Sequence, residues 1–313
     1  MCIRDSPPRA DPLGLRPAAA LRRLALLAAL LVAATGCSAA GPRDTSPAPA
    51  GTLTVSPSPS LSPSPSSHPA VPRARRSPHL DSWTVGARPL PLRPDGFGEV
   101  LRTPRQLRVR RLATTDLLPP PADGRFHGTV GPVTPDVRRR MGRTWSPACP
   151  VGLADLRHLT LTFEGFDGRP HTGELVVNAS VARGVVGVFR KLYAARFPIE
   201  EMRLVTTADL DAPPTGDGDN TAAYVCRTTR GSSVLSAHAY GLAIDVNPFL
   251  NPYRNGDLVL PELASAYLDR SWRRPGMVLR GGVVTRAFAS AGWTWGGDFT
   301  SVSDLMHFSA NGR

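Results

Sequence analysis

Two short segments near the C-terminus constrain this chain more than any other feature of its sequence. His238 and Asp245 lie in the first segment, and Asp304 and His307 lie in the second. Two imidazoles and one carboxylate form a sufficient set of protein ligands for a catalytic zinc ion, which keeps water in its fourth position. A fold that uses these side chains together must therefore bring two distant segments to one point.

Local patterns indicate how each segment presents its side chains. Residues 242–246 alternate between apolar and small or polar types, which predicts a half-buried strand that carries Asp245. Asn247 and Pro248 predict the end of that strand. His238 precedes Asp245 by seven positions, too far for neighbours on one helical face, so we expect it on the loop before the strand. Residues 306–308 predict a second short strand.

Asp304 stands three residues before His307, and this spacing favours a role beside the ion rather than on it. A carboxylate in that position lies within reach of a water molecule at the ion and can act as a general base. For an aspartate considered alone, the competing interpretation is the cap of a turn after residues 301–303.

These motifs resemble those of the M15 peptidases, which include D-alanyl-D-alanine carboxypeptidases and L-alanyl-D-glutamate endopeptidases. The family pattern is S-x-H-x-x-G-x-A-x-D, then W-x-W-G-G, then D/E-x-x-H. In this chain the three motifs occupy residues 236–245, 293–297 and 304–307. The resemblance extends over about residues 141–308. It implies zinc-dependent hydrolysis of peptide bonds in peptidoglycan stem peptides, closest to D-alanyl-D-alanine carboxypeptidase action, with the endopeptidase activity as the alternative.

The resemblance also implies a role for each motif residue. His238, Asp245 and His307 are expected to hold one Zn²⁺ ion, and Asp304 is expected to be the catalytic base. A chain in which His307 or Asp304 was replaced would lack a zinc ligand or the base, whereas this chain has all four residues. Their presence argues against a non-catalytic wall-binding protein of the same fold. The spacing also differs from that of ferrous oxygenases, which bind iron with a similar ligand set.

Members of the family use an arginine upstream of the first histidine to steady the substrate carbonyl. Arg227 matches that position best, and Arg230 and Arg203 are the alternatives. The resemblance further suggests three substrate contacts: Ser236, Tyr240 and Trp295. For Tyr240 and Trp295, a place in the hydrophobic core is an equally good interpretation.

The patterning from residue 141 onward predicts an α+β fold, because strands do not alternate regularly with helices. The resemblance implies the same class, a small antiparallel sheet with helices around a zinc cleft, as in Hedgehog/DD-peptidase-like folds. Asn178 or Ser180 is predicted to cap the first of the helices. The predicted elements are strands at 159–163, 174–177 and 203–206, and helices at 181–192, 261–268 and 285–291, the last ended by Gly292.

The N-terminal region predicts export. Two arginines precede the apolar run 24–34, which is too short to span a bilayer and is typical of a signal peptide. The sequence that ends at Cys37 resembles a lipobox, so we expect Cys37 to be lipidated and the protein to face the cell wall from the membrane. An ordinary secretory signal is the alternative. Residues 1–37 are thus the predicted leader.

Three further regions follow the leader. Residues 38–77 are rich in proline and serine and predict a linker that cannot bury enough apolar surface to fold. Residues 78–140 form an Arg/Pro-rich extension without clear periodicity. Residues 141–313 are the predicted zinc peptidase domain, which is long enough for one packed core.

Charge and cysteine content agree with an exported protein. The formal net charge is +12, which favours anionic wall polymers as partners. Arginine runs at 102–111 and 138–140 lack any accompanying nucleic-acid motif, so we expect no nucleic-acid partner, and we expect a monomer. After the leader is set aside, Cys149 and Cys226 remain; they form a disulfide in an oxidising compartment, or else stay as free buried thiols.

Overall fold

The computed structural model describes residues 79–312. The predicted signal peptide, the lipidation site at Cys37 and the Pro/Ser-rich linker lie outside the described residues. Within the described range, none of the helices has the length and apolar character needed to cross a bilayer.

The architecture is α+β, as the sequence predicts, with several small antiparallel sheets. The described residues form four α-helices: α1 Pro135–Met141, α2 Ala182–Ala194, α3 Thr207–Asp211 and α4 Val283–Ala289. The strands are β1 Gly128–Pro132, β2 Leu156–Glu164, β3 Pro170–Asn178, β4 Glu201–Met202, β5 Asn220–Thr221, β6 Ala243–Asp245, β7 Tyr253–Asn255, β8 Leu258–Leu260, β9 Thr294–Trp295, β10 Ser303–Asp304 and β11 His307–Ser309.

The largest sheet has the order β1-β2-β3, and all of its pairs are antiparallel. The predicted hairpin between residues 159 and 177 is confirmed, and its turn contains Gly168 at φ +76°. Two smaller sheets have the orders β6-β11-β9 and β10-β7-β8, while β4 and β5 form a short parallel pair. The two smaller sheets carry the candidate site.

Helix α2 covers one face of the β2–β3 hairpin. Its buried side chains recur at the spacing of one helical face, and they are Val185, Val188, Phe189 and Leu192. Phe189 meets Phe288 of α4 edge to face, with the ring centroids 6.5 Å apart. The same core includes Ile244 of β6 and Phe308 of β11, so the strands of the candidate site rest directly on it.

The start of α2 differs from its prediction. Val181 is the residue before the helix, and no side chain caps it. The Oδ1 atom of Asn178 instead accepts hydrogen bonds from the N–H of Ser180 at 3.0 Å and from its hydroxyl at 2.8 Å. Both polar side chains are therefore used in the turn between β3 and α2 rather than at the helix.

Two other predicted elements are much reduced. In place of a strand at 203–206, the chain has the two-residue strand β4, because the Arg203 N–H donates to the Asn220 side chain at 2.9 Å instead of extending the ladder. In place of a helix at 261–268, it has a short 3-10 helix, Ser265–Leu268. The Leu263 N–H donates to the Gly216 carbonyl at 3.0 Å, which ties this backbone to a neighbouring loop.

Residues 79–118 of the Arg/Pro-rich extension pack against elements that come later in the chain. Arg110 is buried, and its guanidinium donates two hydrogen bonds of 2.6 Å to the Glu200 carboxylate. It also lies over the ring of Phe249, 4.5 Å from the centroid. Asp219 is a second buried acid, with Oδ2 3.9 Å from Arg110 Nε. The extension is thus attached to the fold through a buried charge.

Cys149 and Cys226 form a disulfide bridge between positions 77 residues apart. The bridge joins the loop after α1 to the segment that leads into Arg227. A link of this span reduces the conformational entropy of the unfolded chain, so it stabilises the folded state.

Replacement of Arg110 tests the contribution of the buried charge pair. We expect Arg110→Met to lower the free energy of unfolding by about 3–5 kcal/mol, because Glu200 would keep a buried charge without its partner. Urea denaturation of the two proteins gives the difference. The matched control is Arg105→Met, an exposed arginine of the same segment, for which we expect less than about 0.5 kcal/mol. Equal effects of the two substitutions would contradict a structural role for the pair.

Candidate metal centre

The pairing of β6 with β11 brings the two motif segments together. The strands are antiparallel, and their register places His307 directly opposite Asp245. Asp245 is also bonded on its other side, where its N–H donates to the Ala222 carbonyl at 2.9 Å and its carbonyl accepts from the Ala222 N–H at 3.1 Å. Asp245 therefore sits on a backbone that is held from both edges.

Three side chains converge at this point. The Oδ1 atom of Asp245 lies 3.1 Å from His307 Nδ1, and Oδ2 lies 3.2 Å from His238 Nε2. One ligand atom from each of the three residues lies within 4.8 Å of the others. Donors at zinc distances of about 2.0–2.2 Å in a tetrahedral site stand roughly 3.3 Å apart. The donor set and its spacing therefore fit a zinc ion.

The segment before β6 fixes the orientation of His238. It forms a 3-10 helix, Ala237–Tyr240, in which the His238 N–H is directed to the Ser236 hydroxyl oxygen at 3.4 Å. Gly241 ends the helix at φ +66°, and a Cβ there would lie 2.5 Å from the backbone nitrogen of Asn178. The Nδ1–H of His238 donates to the Ala223 carbonyl at 2.5 Å, which leaves Nε2 as the atom available to a metal.

The electrostatics of the cluster favour a cation. Burial by itself would raise the pKa of Asp245, but the charges and hydrogen bonds of His238 and His307 hold this pKa well below its ordinary value. The carboxylate is therefore ionised and directed at two imidazoles. A divalent cation at their common point would take the place of the ring protons that face the carboxylate, because a metal binds imidazole in its neutral form.

Asp304 lies beside this cluster without belonging to it. Strand β10 carries Asp304 and pairs with Tyr253 of β7. The Oδ1 atom is buried and has no hydrogen-bond partner among the described residues. Burial and the negative charge of Asp245 raise the pKa of Asp304 to about 7. A bound divalent cation would act in the opposite direction and favour the ionised form.

The structure separates the three candidate arginines. The charge of Arg227 lowers the pKa of Asp304, the smallest of the effects on this group, and the exposed Arg227 side chain donates from Nη1 to the Thr228 carbonyl at 3.2 Å. Arg203 is bonded to Glu201 and Asp209 on another surface, at 2.7 and 2.8 Å. Arg230 lies at the tip of an exposed hairpin. Of the three arginines that the sequence suggests, Arg227 is the one whose charge acts on Asp304 within residues 79–312.

The predicted substrate contacts occupy different surroundings. Ser236 is buried and accepts the His238 N–H, as described above. Tyr240 is half-buried and packs against a cluster near α1 that includes Val137 and Tyr224. Trp295 is buried, donates its indole N–H to the Leu305 carbonyl at 2.9 Å and lines a groove of about 580 Å³. Of the three, Trp295 is the one placed at a groove.

Two further residues of the site, Phe299 and Ala223, are not among the residues predicted from the sequence. The ring of Phe299 lines the same groove, and its centroid lies 6.2 Å from that of His307. It therefore connects the groove to the metal centre. Its position shortly after the W-x-W-G-G motif was a usable signal. Ala223 contributes a backbone carbonyl. Because every residue has one, the residue type could not predict this role.

The W-x-W-G-G motif meets the site at Gly296. A Cβ on Gly296 would lie 2.5 Å from the Asp304 carbonyl oxygen and 3.2 Å from the His307 Cβ. The loop can approach both residues only because this position has no side chain. The motif glycine is thus explained by the close approach of two backbones at the site.

Comparison with known families agrees with this geometry. Residues 229–310 match a family model described as D-alanyl-D-alanine carboxypeptidase, one of the M15 peptidase models. The match supports an M15 family peptidase over these residues. The matched segment contains all three converging side chains, Asp304 and Gly296. It covers less than half of the chain, and no curated protein or solved structure compared with the chain matches it.

Substitution of Gly296 tests whether the close approach holds the ligands of the M15 peptidase region in place. We expect Gly296→Ala to weaken Zn²⁺ binding by about 10–100-fold, because the new methyl group displaces the backbone of Asp304 and the side chain of His307. Calorimetric titration of the apoprotein measures the affinity. The control is Gly187→Ala in α2, where a Cβ meets nothing within 4 Å. Unchanged affinity in Gly296→Ala would show that the loop can move without affecting the ligands.

Proposed function

We propose that this protein is a zinc-dependent peptidase that acts on peptidoglycan stem peptides in the manner of a D-alanyl-D-alanine carboxypeptidase. The observation that carries the proposal is the convergence of His238, Asp245 and His307, with the unbonded carboxylate oxygen of Asp304 beside them. A metal site with a free acid/base group next to it is the arrangement that metal-assisted hydrolysis requires. The family match supports a peptidase.

The proposed mechanism assigns one task to each side chain. His238, Asp245 and His307 hold the zinc ion, which when bound lowers the pKa of water and polarises a carbonyl group. Asp304 accepts a proton from the attacking water at Oδ1 and later delivers it to the nitrogen of the leaving amine. Arg227 supplies positive charge near the carbonyl oxygen, where negative charge develops during the attack.

The groove next to Phe299 is the proposed path of the substrate. Its walls include Trp295, Phe299 and Asp298, and it extends to Arg286 of α4. Phe299 contacts the groove on one side and His307 on the other. The residues that line the groove include neither the proposed ligands nor Asp304, so in this proposal the peptide passes Phe299 to reach the metal centre.

The proposed location follows from the N-terminal sequence. A lipid-anchored protein that faces the cell wall would meet stem peptides directly, and the linker of residues 38–77 would give it reach. Secretion without an anchor is the alternative. The partners in this proposal are stem peptides and the membrane, with no nucleic acid, and the protein acts as a monomer.

Two substitutions separate metal binding from catalysis. We expect His238→Ala to lose most of the bound zinc, because one of three protein ligands disappears. We expect Asp304→Asn to keep the zinc and to lower kcat by about 10²–10⁴-fold, because the proton acceptor is lost. Elemental analysis of purified proteins measures the metal and distinguishes zinc from iron.

Matched controls use the same substitutions at exposed positions. His127→Ala and Asp155→Asn remove a surface imidazole and a surface carboxylate, and we expect wild-type metal content and turnover from both. An Asp304→Asn variant that retains full turnover would rule out the proposed base.

Mass spectrometry of digested muropeptides identifies the bond that is cut. Loss of a single terminal D-alanine from a pentapeptide stem supports the proposed carboxypeptidase activity. Release between L-alanine and D-glutamate would instead show an endopeptidase. Absence of any cleavage by the zinc-loaded protein would overturn the enzymatic proposal in favour of a wall-binding role.

A further inference from the structure

An exposed hairpin stands between the disulfide and His238. It comprises residues 227–235, which we call the flap. Thr228 and Leu235 form a β-bridge, and the Thr229 N–H donates to the Val234 carbonyl at 2.8 Å. Val234 is 59% exposed, so the flap has little apolar contact with the core. A hairpin of this kind opens easily unless something holds its tip.

The base of the flap is joined to the metal centre. The Ser236 N–H donates to the Arg227 carbonyl at 3.1 Å, and the Val225 N–H donates to the His238 carbonyl at 3.4 Å. Arg227, whose charge acts on Asp304, is the first residue of the flap. The flap is therefore joined through its base to the backbone of the segment that carries His238.

A second hairpin comes from the N-terminal extension. We call residues 92–98 the extension hairpin; Leu92 and Gly98 form its bridge. The Arg93 N–H donates to the Phe97 carbonyl at 2.7 Å, and the Gly96 N–H donates to the Arg93 carbonyl at 2.9 Å. These bonds define a tight turn, with Gly96 at φ +79°.

The extension hairpin is attached firmly to the fold on both sides. Before it, the Leu90 N–H donates to the Pro214 carbonyl at 2.8 Å, and after it the Leu101 N–H donates to the Glu262 carbonyl at 3.3 Å. Leu90 is buried, and Glu262 lies against Gly98. The extension hairpin can therefore serve as a fixed support.

The tips of the two hairpins meet in one contact. The guanidinium carbon of Arg230, at the tip of the flap, lies 3.2 Å from the centroid of the Phe97 ring. Burial lowers the pKa of Arg230 to about 10, and the charges of Arg227 and Arg93 act in the same direction, while those of Glu262 and Asp95 oppose them. The attraction of the cation to the aromatic face is therefore a contact that holds the tip against unfavourable burial of its charge.

We infer that Phe97 is a positioning residue for the peptidase site: its ring holds Arg230 and so keeps in place the flap, which begins at Arg227 and leads into the segment that carries His238. The inference rests on the proposed function and adds to it an element outside the matched segment 229–310. The ring of Phe97 contacts Arg230 at the tip of the flap. It acts through the flap.

Limited trypsin digestion tests the first half of this inference without using enzymatic activity. Cleavage after Arg227 and Arg230, identified by mass spectrometry, reports how often the flap opens. Cleavage after the exposed Arg125 serves as the internal reference. We expect Phe97→Ala to accelerate flap cleavage about two- to fivefold relative to the reference, the factor that a surface cation–aromatic contact supplies. Phe97→Tyr keeps a ring and should behave as wild type.

Steady-state kinetics on a peptide that ends in D-alanyl-D-alanine test the second half. We expect Phe97→Ala and Arg230→Ala each to lower kcat/KM with unchanged zinc content; one opening equilibrium sets both readouts, so the gain in flap cleavage and the loss of kcat/KM multiply to about the same two- to fivefold factor. The double variant should be no worse than either single variant, because both remove the same contact. The control is Arg190→Ala, which takes a guanidinium from the ring of Phe126, 5.4 Å away, on another surface.

The outcomes separate this inference from the proposed function. Unchanged flap cleavage in Phe97→Ala overturns the inference, and so does faster cleavage with unchanged kinetics, or additive losses in the double variant. A wild-type protein that binds zinc but releases no product overturns the proposed function instead. In that case the digestion result still decides whether Phe97 holds the flap.

Discussion

The antiparallel pairing of β6 with β11 is the interaction on which the rest of the site depends. Its register sets Asp245 opposite His307, and in the next position it sets Ile244 opposite Phe308. Ile244 and Phe308 are fully buried, and Phe308 stacks on Phe288 with centroids 4.0 Å apart. Side chains alternate between the faces of a strand, so a slip of one residue would turn the metal-site side chains toward the core and turn the core side chains toward the metal site. The apolar face thus enforces the geometry of the metal face.

The second requirement of the site is support from outside the matched segment. Ala222 pairs with Asp245, and the Ala223 carbonyl orients His238, yet both alanines precede residue 229. The disulfide ends at Cys226, next to the flap. The N-terminal extension adds the buried pair of Arg110 and Glu200 and the hairpin that carries Phe97. The segment with the recognisable motifs is therefore completed by chain that lies before it.

Sequence patterns located the ligands well and the supporting elements poorly. His238, Asp245 and His307 converge in the structure with Asp304 nearby, and the sequence could single them out because residue types and spacing are local properties; their roles stay a prediction. The long β2–β3 hairpin was predictable for the same reason, since its alternation is a local property. The predicted cap of α2 was wrong because Asn178 and Ser180 bond to each other. The predicted helix at 261–268 was wrong because its backbone is bonded to a distant loop.

The sequence by itself determined the candidate donor set of two histidines and one aspartate, its order along the chain and the α+β class, because each of these depends on residue types and short-range periodicity. Only the tertiary structure decided that Arg203 is bonded on another surface, that Gly296 must lack a side chain, and that the extension reaches the flap through Phe97. These features depend on distances between segments far apart in the chain. Such distances are set by the packing of the sheets on one core, and no local pattern records them.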